Sequence, residues 1–228
     1  MTFSIIGRCE QSGQIGIAIS SSSIAVGARC PWLRAGVGAV STQNITLPAY
    51  GTQLLNLLAQ GLSPERALKQ ATENEAYCQY RQIILMNNQG ETAVFSGSKT
   101  LGIYNTAAGK QCIAAGNLLK APQVIAALTT AFEQTRGHLA DRLLAAMQAA
   151  LNAGGEAGPV HSAALSIVDC TNPAVNWPIV DLRVDWADDN PIGELAKLWQ
   201  AYQMQMDDYI TRALNPASAP SYGVPGDE

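Results

Sequence analysis

Thr2-Phe3-Ser4-Ile5-Ile6-Gly7, the turn Glu10-Gln11-Ser12-Gly13, and Ile15-Gly16-Ile17-Ala18-Ile19-Ser20-Ser21 decide the reading of this chain. Two short apolar runs rich in β-branched residues, separated by turn chemistry, specify a β-hairpin over residues 2–21. From here the pattern unfolds in blocks. Ala35-Gly36-Val37-Gly38-Ala39-Val40-Ser41-Thr42 reads as a Gly-rich strand that permits close backbone approach. Leu54, Leu55, Leu57 and Leu58 lie at helical spacing between Tyr50 and Gln60, and Gly61 closes that helix. Ser63-Pro64-Glu65 opens a second helix with a cap, a proline at the first position and an acid in the first turn. Residues 82–86 and 92–95 flank Asn87-Asn88-Gln89-Gly90 as a second hairpin, and Cys112 to Ala115 forms a strand ending at Gly116-Asn117.

Paired helices are expected at Pro122–Gln134 and Leu139–Asn152, strands at Ser162–Val168 and Ile179–Val184, and one long helix from Pro191 to Ala213. Hairpin-joined strands alternating with paired helices favour antiparallel sheets with helical layers over a doubly wound parallel sheet. We therefore expect one α+β domain over residues 1–214. The Pro- and Gly-containing stretch 215–228 is expected to be a disordered tail.

Composition narrows the functional classes. The chain has 228 residues, 47% of them hydrophobic and 14% charged, with a net charge of −4. It has ample apolar material for a core and no basic stripe, so nucleic-acid binding is not expected. Low charge on a large apolar fraction inclines the reading toward a homo-oligomer. Cys9, Cys30, Cys78, Cys112 and Cys170 are scattered, without a C-x-x-C pair or a nearby histidine at zinc spacing. Neither a disulfide framework, a metal site nor a cofactor is expected. No window suggests a leader peptide or a membrane span, and the reading is cytoplasmic.

The chemistry concentrates at the start. Thr2 follows the initiator Met1, a context in which the methionine is normally removed. The freed α-amine, with a reference pKa of about 7.7–8.0, can then serve as general base for the hydroxyl of its own residue. That chemistry needs the threonine at the head of a buried strand, and Phe3-Ser4-Ile5-Ile6 is such a strand. The run Ser20-Ser21-Ser22-Ser23 is either a hydroxyl cluster around a substrate or a solvated strand end.

Other candidates have plainer readings. His138 reads as a surface residue, His161 as structural and Cys30 as a small buried hydrophobe. Asp181, Arg183 and Asp185 alternate on one strand face and read as an ion-pair network.

Several stretches resemble the bacterial family catalogued as domain of unknown function 1028. They are Thr2 to Ile6, Ala25-Val26-Gly27 to Pro31-Trp32, Arg34 to Gln43, Gly116-Asn117-Leu118-Leu119 and Asp181 to Asp185. The resemblance runs from Thr2 to about Leu198, and that family is grouped with the N-terminal-nucleophile (Ntn) hydrolases. It implies a four-layer αββα sandwich of two mostly antiparallel sheets and an amidohydrolase acting on a small amide or short peptide. Carried over by position, it implies Thr2 as nucleophile and Ser21 as the residue orienting the terminus. It further implies a Thr42 backbone N–H in the oxyanion hole, and Asn117 at the amine or substrate. Ser20, Ser22, Arg34 and Gln43 become substrate-side candidates, with Arg29 or Arg34 able to give only electrostatic help. Where this family usually carries a basic residue the chain has Ser22, which implies a different substrate or lower activity. The rival expectation is a non-catalytic Ntn-like protein that binds a small metabolite or serves in an assembly.

Overall fold

The computed structural model describes residues 1–226. The expected hairpin is β1 (Thr2–Arg8) and β2 (Gln14–Ser21), paired antiparallel from Phe3 opposite Ser20 to Arg8 opposite Ile15. The other strands are β3 (Pro31–Arg34), β4 (Gly38–Asn44), β5 (Arg81–Asn87), β6 (Thr92–Ser96), β7 (Asn105–Gly109), β8 (Cys112–Asn117), β9 (Ser162–Asp169) and β10 (Pro178–Val184). The helices are α1 (Ala49–Ala59), α2 (Pro64–Thr72), α3 (Gln123–Gln134), α4 (Leu139–Asn152), α5 (Pro191–Tyr202) and α6 (Met206–Leu214).

The strands make two sheets, ordered β10-β9-β2-β1-β8-β7 and β3-β4-β5-β6, with every neighbouring pair antiparallel. Strand alternation then sorts each side chain to one of two faces. Phe3 and Ile5 of β1 pack with Val124, Leu128, Phe132, Leu143 and Met147 of α3 and α4. Ile6, Ile15 and Ile17 face the other way, onto Ala39, Ile84 and Met86 of the second sheet. The outer face of that sheet packs Val40, Ile83 and Leu85 against Tyr50, Leu54, Leu58 and Leu68 of α1 and α2. The result is the expected αββα order of layers.

Close packing explains one glycine. A Cβ on Gly7 would stand 2.4 Å from Phe132 Cε2, so only glycine lets α3 lie flat on β1. Gly38 holds φ at +150° with Met86 O 2.2 Å from a would-be Cβ, which starts β4 against β5.

Three details correct the expectation. The Gly-rich strand begins at Gly38 rather than Ala35, because Ala35 to Val37 form the turn of a hairpin with β3, closed by the Val37 N–H on Arg34 O at 3.1 Å. β3 and β7 were not expected, and both are edge strands. The helix expected at 191–213 breaks between Tyr202 and Met206: the Tyr202 hydroxyl donates to Ile179 O at 2.9 Å while Met206 turns inward. The stretch after α6 folds back on that helix: the Arg212 guanidinium in its last turn donates to Pro220 O at 3.0 Å and lies 3.9 Å over the Tyr222 ring. Residues 227 and 228, the end of the expected disordered tail, lie outside the described residues. Among the described residues no helix is long and apolar enough to cross a membrane.

Candidate functional site

The register of the first sheet sets three polar residues side by side. Asn117 on β8 is the partner of Thr2, and Phe3 opposite Ser20 puts Ser21 on the other flank of Thr2. Thr2 is 5% exposed, Ser21 and Asn117 not at all. All three share the inter-sheet face at the end of the sandwich where β1 begins. The Thr2 and Ser21 hydroxyls are 3.3 Å apart. Ser21 donates to the Met1 carbonyl at 2.5 Å, and the Thr2 hydroxyl donates to the same oxygen. Met1 thus lies over Thr2, its methyl group 2.9 Å from where a Cβ on Gly158 would be.

Ser21 is held from behind. Its oxygen accepts the Ser23 N–H at 3.1 Å and lies 2.9 Å from the Ser23 hydroxyl. Arg29 donates to Ser23 Oγ at 3.0 Å and to Ile24 O and Ala25 O at 2.6 and 3.1 Å. A fixed positive charge therefore stands two hydroxyls away from Thr2.

Asn117 is held from below by a buried chain of amides. Gln82 Nε2 donates to Gly116 O at 3.1 Å; a backbone carbonyl only accepts, so this contact fixes which way the Gln82 amide points. Gln82 Oε1 consequently accepts from Gln43 Nε2 at 2.9 Å and Asn117 Nδ2 at 3.1 Å. Gln43 Oε1 accepts from the Ser4 hydroxyl at 2.7 Å and the Ser41 hydroxyl at 3.3 Å. The Asn117 amide is thereby locked with Oδ1 pointing away from Gln82, buried and without a partner.

The remaining expected residues divide. Gln43 lies in this network, a layer beneath Thr2. The Ser22 N–H donates to Glu156 Oε2 at 3.2 Å beside the site. Ser20 points to the helix side and donates to Ser162 O at 3.0 Å. Arg34 pairs with Gly38 at the far end of β4 and donates to Asn56 Oδ1 at 2.9 Å. Thr42 is likewise not brought to the site: its N–H is taken by Cys30 O at 3.0 Å and its side chain faces α1, because it alternates with Ser41 and Gln43. Cys30 is buried, and burial pushes its thiol pKa up. His161 stacks on Trp186 at 4.4 Å with Nδ1 2.9 Å from Ala187 O, a structural role. His138 is half-buried rather than on the surface: it caps α4 at the Ala140 N–H and stacks on Trp199 at 4.8 Å. The expected ladder reduces to one exposed pair, Arg183 and Asp185 at 4.0 Å, among the described residues.

Glu156 was not anticipated. It lies in a Gly-Gly-Glu-Ala-Gly loop after α4, where a single acid gives no periodic signal. It is 4% exposed; burial pushes its carboxyl up to about 7, against the downward pull of the N-terminal ammonium and of the bonds to Ser22. Ile24, Ile45 and Trp186 are exposed just after β2, β4 and β10, and Leu101 and Ile103 are exposed on the loop whose carbonyls accept the Leu118 and Leu119 N–H groups after β8. Two cavities, of about 370 and 480 Å³, lie elsewhere, under Cys9 and Arg142 and beside Gly36 and Leu58.

A family model described as a family of unknown function, DUF1028, matches residues 2–195. The chain belongs to that family. A DUF1028 protein from Silicibacter pomeroyi, of known crystal structure, is 32% identical, with a TM-score of 0.84 over 91% of this chain and 89% of that one. Anbu (ancestral beta-subunit) from Yersinia bercovieri is similar at 11% identity and a TM-score of 0.41, over 90% of this chain and 96% of that one. An Anbu mutant from Hyphomicrobium sp. strain MC1 gives 13% and 0.44 over the same shares, 90% and 96%. Likeness at that level is too loose to transfer chemistry. No curated protein matches this chain.

Proposed function

We propose that this DUF1028 chain is an N-terminal-nucleophile amide hydrolase, with Thr2 as nucleophile after removal of Met1. The observation that carries the reading is the row Asn117-Thr2-Ser21, buried between the sheets with the Thr2 hydroxyl against the Met1–Thr2 peptide.

In this reading the α-amine of Thr2 takes the proton of its own hydroxyl as Oγ bonds to the substrate carbonyl carbon. The carbonyl π pair moves onto oxygen. The Ser21 hydroxyl donates to that oxygen, as it does to the Met1 carbonyl, with the Arg29 charge behind Ser23 reinforcing the donor. The ammonium then gives its proton to the departing nitrogen as the C–N bond breaks. Water, deprotonated by the amine, hydrolyses the resulting ester. Thr42 has no part in this scheme, because its N–H is engaged by Cys30. The exposed Ile24, Ile45, Leu101 and Ile103, on loops that follow or bond to the strand ends of the site, support a small amide or short peptide with an apolar flank. Association of copies in solution and a cytoplasmic setting remain part of the proposal.

The test is intact-mass measurement of protein from its native host, together with Thr2→Ala assayed on a panel of amides, short peptides and lactams. The expected outcome is loss of Met1 and a fall in rate of at least about 10³-fold, the scale on which a triad-type nucleophile is needed. Hydrolysis unaffected by Thr2→Ala ends the assignment. One observation favours a second reading: Met1 already satisfies both hydroxyls, so a chain that keeps it would be a non-catalytic binding or assembly protein.

A further inference from the structure

Glu156 is the only carboxylic acid in the buried set among the described residues. Its loop is tied to the segment that directly follows Asn117. Lys120 N–H donates to Gly155 O at 3.0 Å, Ala157 N–H donates to Leu118 O at 2.9 Å, and Leu119 and Glu156 form an isolated bridge. One carboxylate oxygen accepts the Ser22 N–H, and the other, Oε1, is buried without a partner. Asn117 Oδ1 is in the same condition, fully buried and oriented away from Gln82. Asn117 is the register partner of Thr2 and Glu156 bonds the residue after Ser21, so both orphaned acceptors belong to elements adjoining the head of β1, and each costs stability until a donor arrives.

The donor that fits is an ammonium. A peptide N–H at Thr2 offers one hydrogen, whereas the α-amine exposed by removal of Met1 offers up to three in its charged form. We propose that Glu156 is a positioning residue for the Thr2 α-amine, receiving it on Oε1 from one side while Asn117 Oδ1 receives it from the other. The inference rests on the N-terminal reading above and adds to it the group that holds the base in place. Two acceptors fix the rotation about the Thr2 N–Cα bond, and with it the direction of the amine lone pair toward Oγ.

The charge environment agrees. With Met1 in place, the Met1 ammonium is the charged group that acts on Glu156, one residue before the position the Thr2 amine would take as the new terminus. Of the other ionisable side chains on the surrounding elements, Lys120 is exposed beside Gly154, and Arg29 is committed to Ser23, Ile24 and Ala25. His161 is held against Trp186 and Ala187 O.

The test reads the amine and not only turnover. Chains produced behind a cleavable leader, so that Thr2 is terminal by construction, are titrated by the pH dependence of α-amine acylation followed by intact mass. Glu156→Gln keeps shape and removes charge; the expected result is a fall in the α-amine pKa of about one unit, as for loss of an opposite charge at close range. Glu156→Asp keeps charge and should retain most of the shift, and the exposed Glu73→Gln should leave the titration unchanged. Superimposable curves for the parent and Glu156→Gln overturn the inference. Adding Thr2→Ala separates it from the parent reading. If that variant keeps the Glu156-dependent titration but hydrolysis survives, Thr2 is not the nucleophile and Glu156 still holds the amine. If hydrolysis needs Thr2 while Glu156→Gln leaves the titration unmoved, the positioning role alone is refuted.

Discussion

Replacing Gln82 by leucine would take away the residue on which the floor of the site converges. Gln82 is fully buried, accepts from Gln43 and Asn117 at 2.9 and 3.1 Å, and donates to Gly116 O and Ser96 Oγ, both at 3.1 Å. Leucine strands the Gln43 and Asn117 amide donors and one lone pair of the Gly116 carbonyl; Ser96 is half-buried and can turn to water. Each buried group left without a partner costs about 1–3 kcal/mol, and the added leucine surface returns about 1 kcal/mol of that. The expected loss is about 4 kcal/mol, or a fall in Tm of about 10 °C for a chain of this size. Urea unfolding followed by the fluorescence of the four tryptophans measures it. Pairing Gln82→Leu with Gln43→Leu should give a coupling of at least about 1 kcal/mol, since the two share one hydrogen bond and one cavity. A loss below about 1 kcal/mol, or strict additivity, would mean that the amides re-pair or are hydrated, and the locked orientation of Asn117 would fall with the network.

The raised Glu156 carboxyl makes stability depend on pH. Its folded value, about 7 against an ordinary 4.5, means that the folded chain holds this proton more tightly, because burial disfavours the anion. That contribution is full below the unfolded value and is lost as pH rises through the folded one, up to about 3 kcal/mol across the window. Urea midpoints from pH 4.5 to 8 should therefore fall more steeply for the parent than for Glu156→Gln, and parallel curves would refute the assignment. The lowered His138 value, caused by burial, works in the opposite direction but is common to both proteins and cancels in the comparison. Gly51→Ala should destabilise by about 1–3 kcal/mol or more, because its Cβ would fall 2.0 Å from Trp32 Cγ, inside the indole rather than at a flexible chain end. An unchanged Tm would show that α1 can shift away from β3.

Much of this architecture is legible in local pattern, and the failures have a common cause. β1 and β2 announce themselves because Ile5, Ile6, Ile15, Ile17 and Ile19 are β-branched residues flanking turn chemistry. β3 and β7 do not. Pro31 opens one and Asn105-Thr106-Ala107-Ala108-Gly109 makes the other, small or irregular residues that edge strands tolerate because only one side must pair. The break between α5 and α6 comes from the Tyr202 hydroxyl reaching Ile179 O across the domain, a tertiary contact with no signature in helical periodicity. Thr42 illustrates the same limit from the side of the site. Its place at the end of a Gly-rich strand is readable, but the face it presents depends on a register set by β3 and β5.

Register is also what makes the site. Thr2, Ser21 and Asn117 are far apart in sequence, and no spacing rule links them. They meet because β1 lies between β2 and β8, so one position at the head of β1 has a neighbour on each side facing the same way. A slip of one residue in either pairing would turn the flanking side chain to the helices and replace it with Ser20 or Gly116. The intersheet layer guards against that slip. Ile6, Ile15 and Ile17 are buried among Ala39, Ile84 and Met86 a few residues away. Moving them to the helix side would force them into space already filled by Phe3 and Ile5 against α3 and α4, and would turn the buried Thr2 and Ser4 hydroxyls onto that apolar layer. The apolar half of the hairpin thereby fixes the geometry of its polar end.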